Sequence, residues 1–192
     1  SVSNGSGDII DNNDTDADDS ASLVVSAVRI GGVEGSGNAG TVGQALTGTY
    51  GQLTLNANGS YSYVANQDAA DDLDASDQVT DVFNYTLSDG TATDTATITI
   101  TVTGINDAPV ADNETGAVNE DATLTVTDGT SDVLHGDTDA DDSASLTVSA
   151  IRTGAEDGSG TSGSIGSGLT GTYGTLTLAS DGTYTYVADQ SA

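Results

Sequence analysis

The sequence predicts an all-β protein, a tandem of antiparallel β-sandwich domains of which the second is incomplete at its C-terminus. Three observations predict it. Strand-forming residues alternate apolar and polar at period two over several runs. The chain repeats itself at an offset of 123 residues, Asp14 to Asp137, too long for a solenoid repeat and suited to a whole domain. No stretch carries a convincing helical period.

The elements follow in order. Leu23 and Val25 begin a strand whose register shifts at Ala27–Val28. Leu53 and Leu55, then Tyr61 and Tyr63, flank Asn56–Gly59, a hairpin turn in which Gly59 supplies positive φ. Phe83, Tyr85 and Leu87 share one face of the next run, opposed by Asn84 and Thr86. Ile98, Ile100 and Val102 share a face of the run after that, opposed by Thr97, Thr99, Thr101 and Thr103. Leu176, Leu178, Gly182, Tyr184 and Tyr186 repeat the Leu–Gly–Tyr hairpin. The Gly- and Ser-rich loops 31–43 and 154–168 are expected as mobile excursions at the sandwich surface.

The repeat sets the domain boundaries. DTDADDSASLVVSAVRIGG from Asp14 returns as DTDADDSASLTVSAIRTGA from Asp137, and LTGTYGQLTLNANGSYSYVANQ returns as LTGTYGTLTLASDGTYTYVADQ. About two positions in three are identical over this gap-free stretch, which reads as a tandem array. Residues 1–107 carry one unit without its first strand, and residues 108–192 carry the start of the next without its last strands. The absent partner is legible in the first unit as Asp81–Gly104, so the edge of the second is expected to fray or to pair with a neighbouring molecule.

Composition narrows the functions. Two basic residues, Arg29 and Arg152, face thirty Asp and Glu for a formal net charge of −28. Nucleic acid is excluded as a partner, because phosphate binding needs clustered Lys and Arg, and anionic membrane surfaces are disfavoured likewise. Cations are what such a chain attracts. Acidity of this degree also suits a disordered chain, against which stand the Thr-, Val-, Ile- and Tyr-rich strand runs. With no cysteine, metal ions are the main alternative staple for a small exported domain. No apolar run is long enough to span a membrane, and no signal peptide is present in this segment.

The sharpest local motif is Asp14-Thr-Asp16-Ala-Asp18-Asp19, repeated as Asp137-Thr-Asp139-Ala-Asp141-Asp142. Carboxylates at alternate positions repel unless a cation sits among them, and an all-oxygen set in an irregular loop suits Ca²⁺. The motif lacks the Gly and Glu of an EF-hand loop, and the Gly-rich nonapeptide of the calcium β-roll is absent. The plainer reading is a solvated loop with Asx hydrogen bonds. A second acidic cluster, Asn106-Asp107, lies at the hinge between the units, stiffened by Pro109.

Catalysis finds little support. His135 is the only histidine and reads as a surface-loop residue, since the first unit has no counterpart. No serine sits in a nucleophile-elbow context. Paired Asp residues could hydrolyse glycosides, yet a chain with no Trp and one Phe offers little to grip a sugar ring. Arg29 and Arg152 are expected to pair with local carboxylates.

TGINDAPVA following TATITITV, with FNYTLSDG and LDASDQ upstream, resembles the VCBS-type, cadherin-like (Ig-like) repeat of large bacterial RTX adhesins exported by type I secretion. The resemblance implies Ig-like sandwiches with Ca²⁺ enclosed at their junctions, in a structural and adhesive protein of the extracellular bacterial surface and of biofilm. It implies Asn106 and Asp107 as linker ligands, Asp139 and Asp141 from the following domain's loop, and Asp74 and Asp77 from the preceding domain. Glu120 would serve the next junction downstream, and Asp16 and Asp18 the one before residue 1; Asp14 and Asp137 open the two loops. The expected partners are neighbouring repeats of the same chain, with cell-surface glycans or further copies of the protein as candidates. Two other functions fit the same residues: a calcium-dependent carbohydrate-binding module and the subunit of a self-assembling extracellular filament.

Overall fold

The computed structural model describes residues 5–10, 14, 16, 22–127, 129–141, 143–156 and 158–189. They fall into two compact units, Ser1–Asp107 and Ala108–Ala192. Among the described residues, the regular structure apart from one short helix is antiparallel β-sheet.

Unit 1 is a sandwich of two sheets. One takes the order β1 (Gly5–Asp8), β5 (Ser60–Val64), β4 (Gln52–Leu55), β3 (Ala45–Thr47); the other takes β2 (Val24–Ile30), β6 (Gln78–Ser88), β7 (Thr93–Thr103). Period-two alternation sends Leu53, Leu55 and Tyr63 from the first sheet, and Val28, Phe83 and Val102 from the second, into a shared core. Phe83 is fully buried, with the Tyr63 ring edge-on to it at 6.4 Å between centroids. The expected register shift is present: pairing of β2 with β6 slips between Val25 and Ala27. Gly59 and its counterpart Gly182 hold φ of 87° and 86° at the hairpin turns.

Strands β6 and β7 form the longest hairpin, in register from Gln78↔Thr103 to Ser88↔Thr93. Between β5 and β6 the chain makes one helical turn, α1 (Asp68–Asp71), too short to express a helical period in sequence.

Loop 31–43 is not the loose excursion its composition suggests. Asn84, on the β6 face opposite Phe83, is 1% exposed because the loop folds over it. Its amide donates to the carbonyls of Gly31 (2.9 Å) and Ser36 (3.0 Å) and accepts from the Gly35 N–H (3.1 Å). Ala39 bridges back to Arg29, whose guanidinium donates to the Gly37 carbonyl at 3.3 Å. The loop thus supplies the backbone partners that a buried amide side chain requires.

Unit 2 repeats the first sheet. β8 (Thr123–Val126), β11 (Gly168–Thr170), β12 (Gly174–Leu178) and β13 (Tyr184–Ala188) take the order β11-β12-β13-β8, with β8 beside β13 as β1 is beside β5. A two-stranded piece, β9 (Ile151–Arg152) with β10 (Ser162–Gly163), puts a strand inside the second Gly-rich loop as well. Its buried core is smaller: Ile151, Leu169 and Leu178.

Candidate metal centre

Among the described residues, one group of carboxylates gathers closely enough to hold a single cation: Asp112, Glu114 and Asp137, with ligand oxygens all within 4.8 Å of one another. All three belong to unit 2. Val110 and Thr138 form an isolated antiparallel bridge, Val110 N–H donating to the Thr138 carbonyl (2.7 Å) and Thr138 N–H to the Val110 carbonyl (2.9 Å). The Asp112 N–H then donates to Asp137 Oδ1 at 3.0 Å. This short pairing holds the stretch after Pro109 against the head of the second DTDADD loop. Alternate residues of that stretch, Asp112 and Glu114, thereby meet Asp137.

The electrostatics are those of crowded anions. The Glu114 carboxyl is pushed above its ordinary range, first by burial, then by a hydrogen bond to Asp112 and by the charges of Asp112 and Asp137. A divalent ion relieves all of these at once. The donor set fits a hard cation: every ligand is oxygen, and two oxygens at opposite sides of a Ca²⁺ ion lie about 4.6–5.2 Å apart at the usual bond lengths. The three side chains fill only part of a coordination sphere of six to eight, leaving the remainder to carbonyls and water.

Unit 1 has a second acidic cleft, of about 350 Å³. Asp14 and Asp16 line it together with Asp89 and Asp94 from the tip of the β6–β7 hairpin. Asp89 caps that tip, accepting from the N–H groups of Ala92 (2.6 Å) and Thr91 (2.7 Å) and from the Thr91 hydroxyl. These bonds, with the Asp16 carboxyl in reach as a lesser cause, hold its pKa down at about 2.

The remaining residues singled out in the sequence lie as follows. Asp139 Oδ1 accepts from the Asp141 N–H (3.1 Å), an Asx turn within the loop, and both residues are half-buried. Asp74 and Asp77 form a tight turn, Asp77 N–H to the Asp74 carbonyl at 3.0 Å, stitched to the end of β7 through Gly104: Gly104 N–H donates to the Asp77 carbonyl (2.9 Å) and Ser76 N–H to the Gly104 carbonyl (3.1 Å). Asn106 is exposed, with its side-chain amide donating to the carbonyl of half-buried Asp107. Glu120 is exposed in the turn before β8. Asp18 lies outside the described residues. His135 is exposed in a loop.

Sequence reasoning passed over Asp112, Glu114, Asp89 and Asp94. Asp112 and Glu114 in ADNET carry a signal in their alternate spacing, the same one that marked the DTDADD loops. Asp89 in SDGT reads as ordinary turn chemistry, and only the fold brings it beside Asp16. Asp81 was missed too, although Asp81, Phe83, Tyr85 and Leu87 are alternate residues, which puts a carboxylate on a core face. It is 4% exposed and accepts from the N–H groups of Thr49 (2.9 Å), Tyr50 (3.0 Å) and Gly51 (3.2 Å) and from the Tyr63 hydroxyl (2.5 Å). Burial, then the bond to Asp81 and its charge, raise the Tyr63 pKa.

Among the described residues no helix is long and apolar enough to cross a membrane. A family model described as the bacterial cadherin-like domain matches residues 1–104 and again 106–192. No curated protein matches the chain.

Proposed function

The chain belongs to the bacterial cadherin-like domain family, and on that footing we propose that it is an extender segment of a bacterial surface adhesin, stiffened by calcium held in its acidic loops. Cadherin-like domains are structural and adhesive modules. The observation that carries the calcium reading is the Asp112–Glu114–Asp137 group. It joins the stretch that follows the hinge to the body of unit 2. At the other end of the hinge, Gly104 is already tied to the Asp74–Asp77 turn. An ion on the acidic group therefore confines the flexible segment to the few residues around Asn106 and Pro109, and a shorter hinge is a stiffer one.

The repeat extends this reading. Asp14 is the counterpart of Asp137, and Asp16 that of Asp139. Unit 2 supplies the carboxylates that meet the loop from the hinge side; unit 1 supplies Asp89 and Asp94, which meet it from the hairpin side. In a whole repeat both sets flank one DTDADD loop, a ligand set large enough for Ca²⁺. Asn106 and Asp107 with Asp139 and Asp141 would add the junctional ligands that cadherin-like tandems imply. Extracellular calcium modules work at Kd of about 10⁻⁴–10⁻³ M, so ambient calcium would act as the switch, with export of an unfolded chain through low-calcium cytosol.

Isothermal titration of the chain with CaCl₂ and small-angle scattering in calcium and in EGTA test the proposal. Saturable binding in that range is expected, with a longer maximum dimension in calcium. Asp112→Asn with Asp137→Asn should remove at least one ion per chain. A chain with no saturable calcium binding and the same dimensions in both buffers defeats it.

A further inference from the structure

The β4–β5 hairpin turns through Asn56-Ala57-Asn58-Gly59, and its counterpart in unit 2 turns through Ala179-Ser180-Asp181-Gly182. The two turns are built alike. The glycine N–H donates to the carbonyl three residues back, Gly59 to Asn56 at 3.0 Å and Gly182 to Ala179 at 3.3 Å. Asn58 Oδ1 accepts from the Ser60 N–H (3.2 Å) and hydroxyl (2.7 Å). Asp181 Oδ1 accepts in the same way from the Thr183 N–H (3.1 Å) and hydroxyl (2.7 Å). One position thus holds an amide in unit 1 and an acid in unit 2, on equivalent donors.

Only the amide is primed to react. Asn58 is exposed, and the glycine after it has no side chain to shield its own nitrogen. The bond from the Ser60 N–H spans Gly59, so the Asn58 amide lies back across the Gly59 peptide. The two donors on Oδ1 stabilise the negative charge that grows there when a nucleophile adds to Cγ. The Ser60 hydroxyl is itself held by the Asn56 side-chain amide, which donates to it at 3.1 Å. At the sister position, the side-chain and backbone bonds from Thr183 hold the Asp181 pKa down. The group there stays an ionised carboxylate, which is a poor electrophile.

We propose that Asn58–Gly59 is a self-modification site, at which unit 1 slowly converts an amide to the acid that unit 2 already carries. The Gly59 nitrogen attacks Asn58 Cγ and gives up its proton to solvent. The N–Cγ bond forms, the Cγ–Nδ2 bond breaks, and ammonia leaves. One water then opens the cyclic imide. Opening at Cγ gives aspartate; opening at the main-chain carbonyl gives isoaspartate, whose main chain is one carbon longer. The Gly59 N–H must first leave the Asn56 carbonyl, so opening of the turn paces the reaction.

The two products differ in what they do to the fold. Aspartate keeps the bonds present at Asp181. Isoaspartate lengthens the chain between two pinned carbonyls. Ala57 accepts from the Val25 N–H in β2 (2.9 Å), and Gly59 accepts from the Ile9 N–H just past β1 (3.0 Å). There is no slack at Gly59, where even a Cβ would meet Ile10 Cγ1 at 2.7 Å. The extra atom breaks one of the two bonds. The site is therefore a clock whose isoaspartate branch loosens unit 1 with age.

The test incubates the full 192-residue chain in mildly alkaline buffer and follows each asparagine by peptide mass spectrometry, with isoaspartate scored by methyltransferase labelling. Asn58 should convert severalfold faster than Asn56, which lies in the same turn but precedes alanine. Asn4 also precedes a glycine, lies outside the described residues, and is scored on its own peptide. Asn58→Asp should keep the melting temperature of the parent chain. The isoaspartate form, separated by chromatography, should melt lower, since losing one backbone bond shifts a domain of this size by about 4–8 °C. Conversion at Asn58 no faster than at Asn56 overturns the proposal, and so does an isoaspartate form that melts with the parent.

Discussion

At the scale of single residues, the described carboxylates include a buried one that builds the core of unit 1 and several that crowd at loops. Asp81 is the builder, holding three backbone amides and a tyrosine hydroxyl in the interior of unit 1. Asp81→Ala strands all four donors and should cost about 3 kcal/mol or more, whereas Tyr63→Phe removes one charged hydrogen bond and should cost about 2 kcal/mol; urea denaturation followed by circular dichroism measures both. Asp89 and Glu114 predict opposite pH dependences. The Asp89 pKa lies at about 2 in the fold against an ordinary 3.8, so its stabilising effect is present above 3.8 and lost as the pH falls towards 2. An NMR titration of its carboxyl carbon should place the midpoint there. For Glu114 the shift is upward from 4.5, so the native state holds the proton more tightly than the unfolded chain does. Its contribution favours the fold at low pH and is lost as the pH rises from 4.5 through the folded value. In EGTA, unit 2 should therefore weaken over that rise, and calcium should flatten the profile, because metal binding displaces the proton.

Among elements, the β6–β7 hairpin has the widest influence. It converts residues 24–30 into a strand, covers Leu53 and Tyr63, and presents Asp89 and Asp94 at its tip beside Asp14 and Asp16. Its far end is fixed by Gly104, where a Cβ would meet the Leu73 carbonyl at 2.7 Å and the Asp74 carbonyl closer still. Gly104→Ala should therefore force β7 off the Asp74–Asp77 turn, lowering the stability of unit 1 by about 1–3 kcal/mol and speeding amide exchange at Ser76 and Gly104. The loop over Asn84 shows how little composition says about mobility. Residues 31–37 are rich in glycine, yet their carbonyls are the partners of a buried side chain. Nothing in the loop itself signals this; the signal is Asn84, a polar residue whose place under the loop depends on the fold.

For the whole molecule, a net charge of −28 opposes compaction, and any salt screens it. Specific sites are distinguished from screening by concentration: about 1 mM calcium should raise the melting temperature more than about 100 mM NaCl, since ligand at about 1–10 times Kd adds about 0.4–1.4 kcal/mol per site. The all-β class, the strand faces, the hairpin turns and the slip in β2 were legible in the sequence, because alternation, positive-φ glycines and a long internal repeat are local or self-referential signals. So was the acidity that attracts cations, and the loops at Asp14 and Asp137. The tertiary structure alone decided which carboxylates meet. Asp137 faces Asp112 and Glu114, and Asp16 faces Asp89, because the fold joins residues that lie 23 to 73 positions apart, and spacing along a chain carries no record of such distances. It also decided that Asp81 belongs to the core and that Leu176 and Tyr186 do not lie fully within one. Burial depends on what packs against a residue, and the same residues in two copies of a repeat can meet different neighbours.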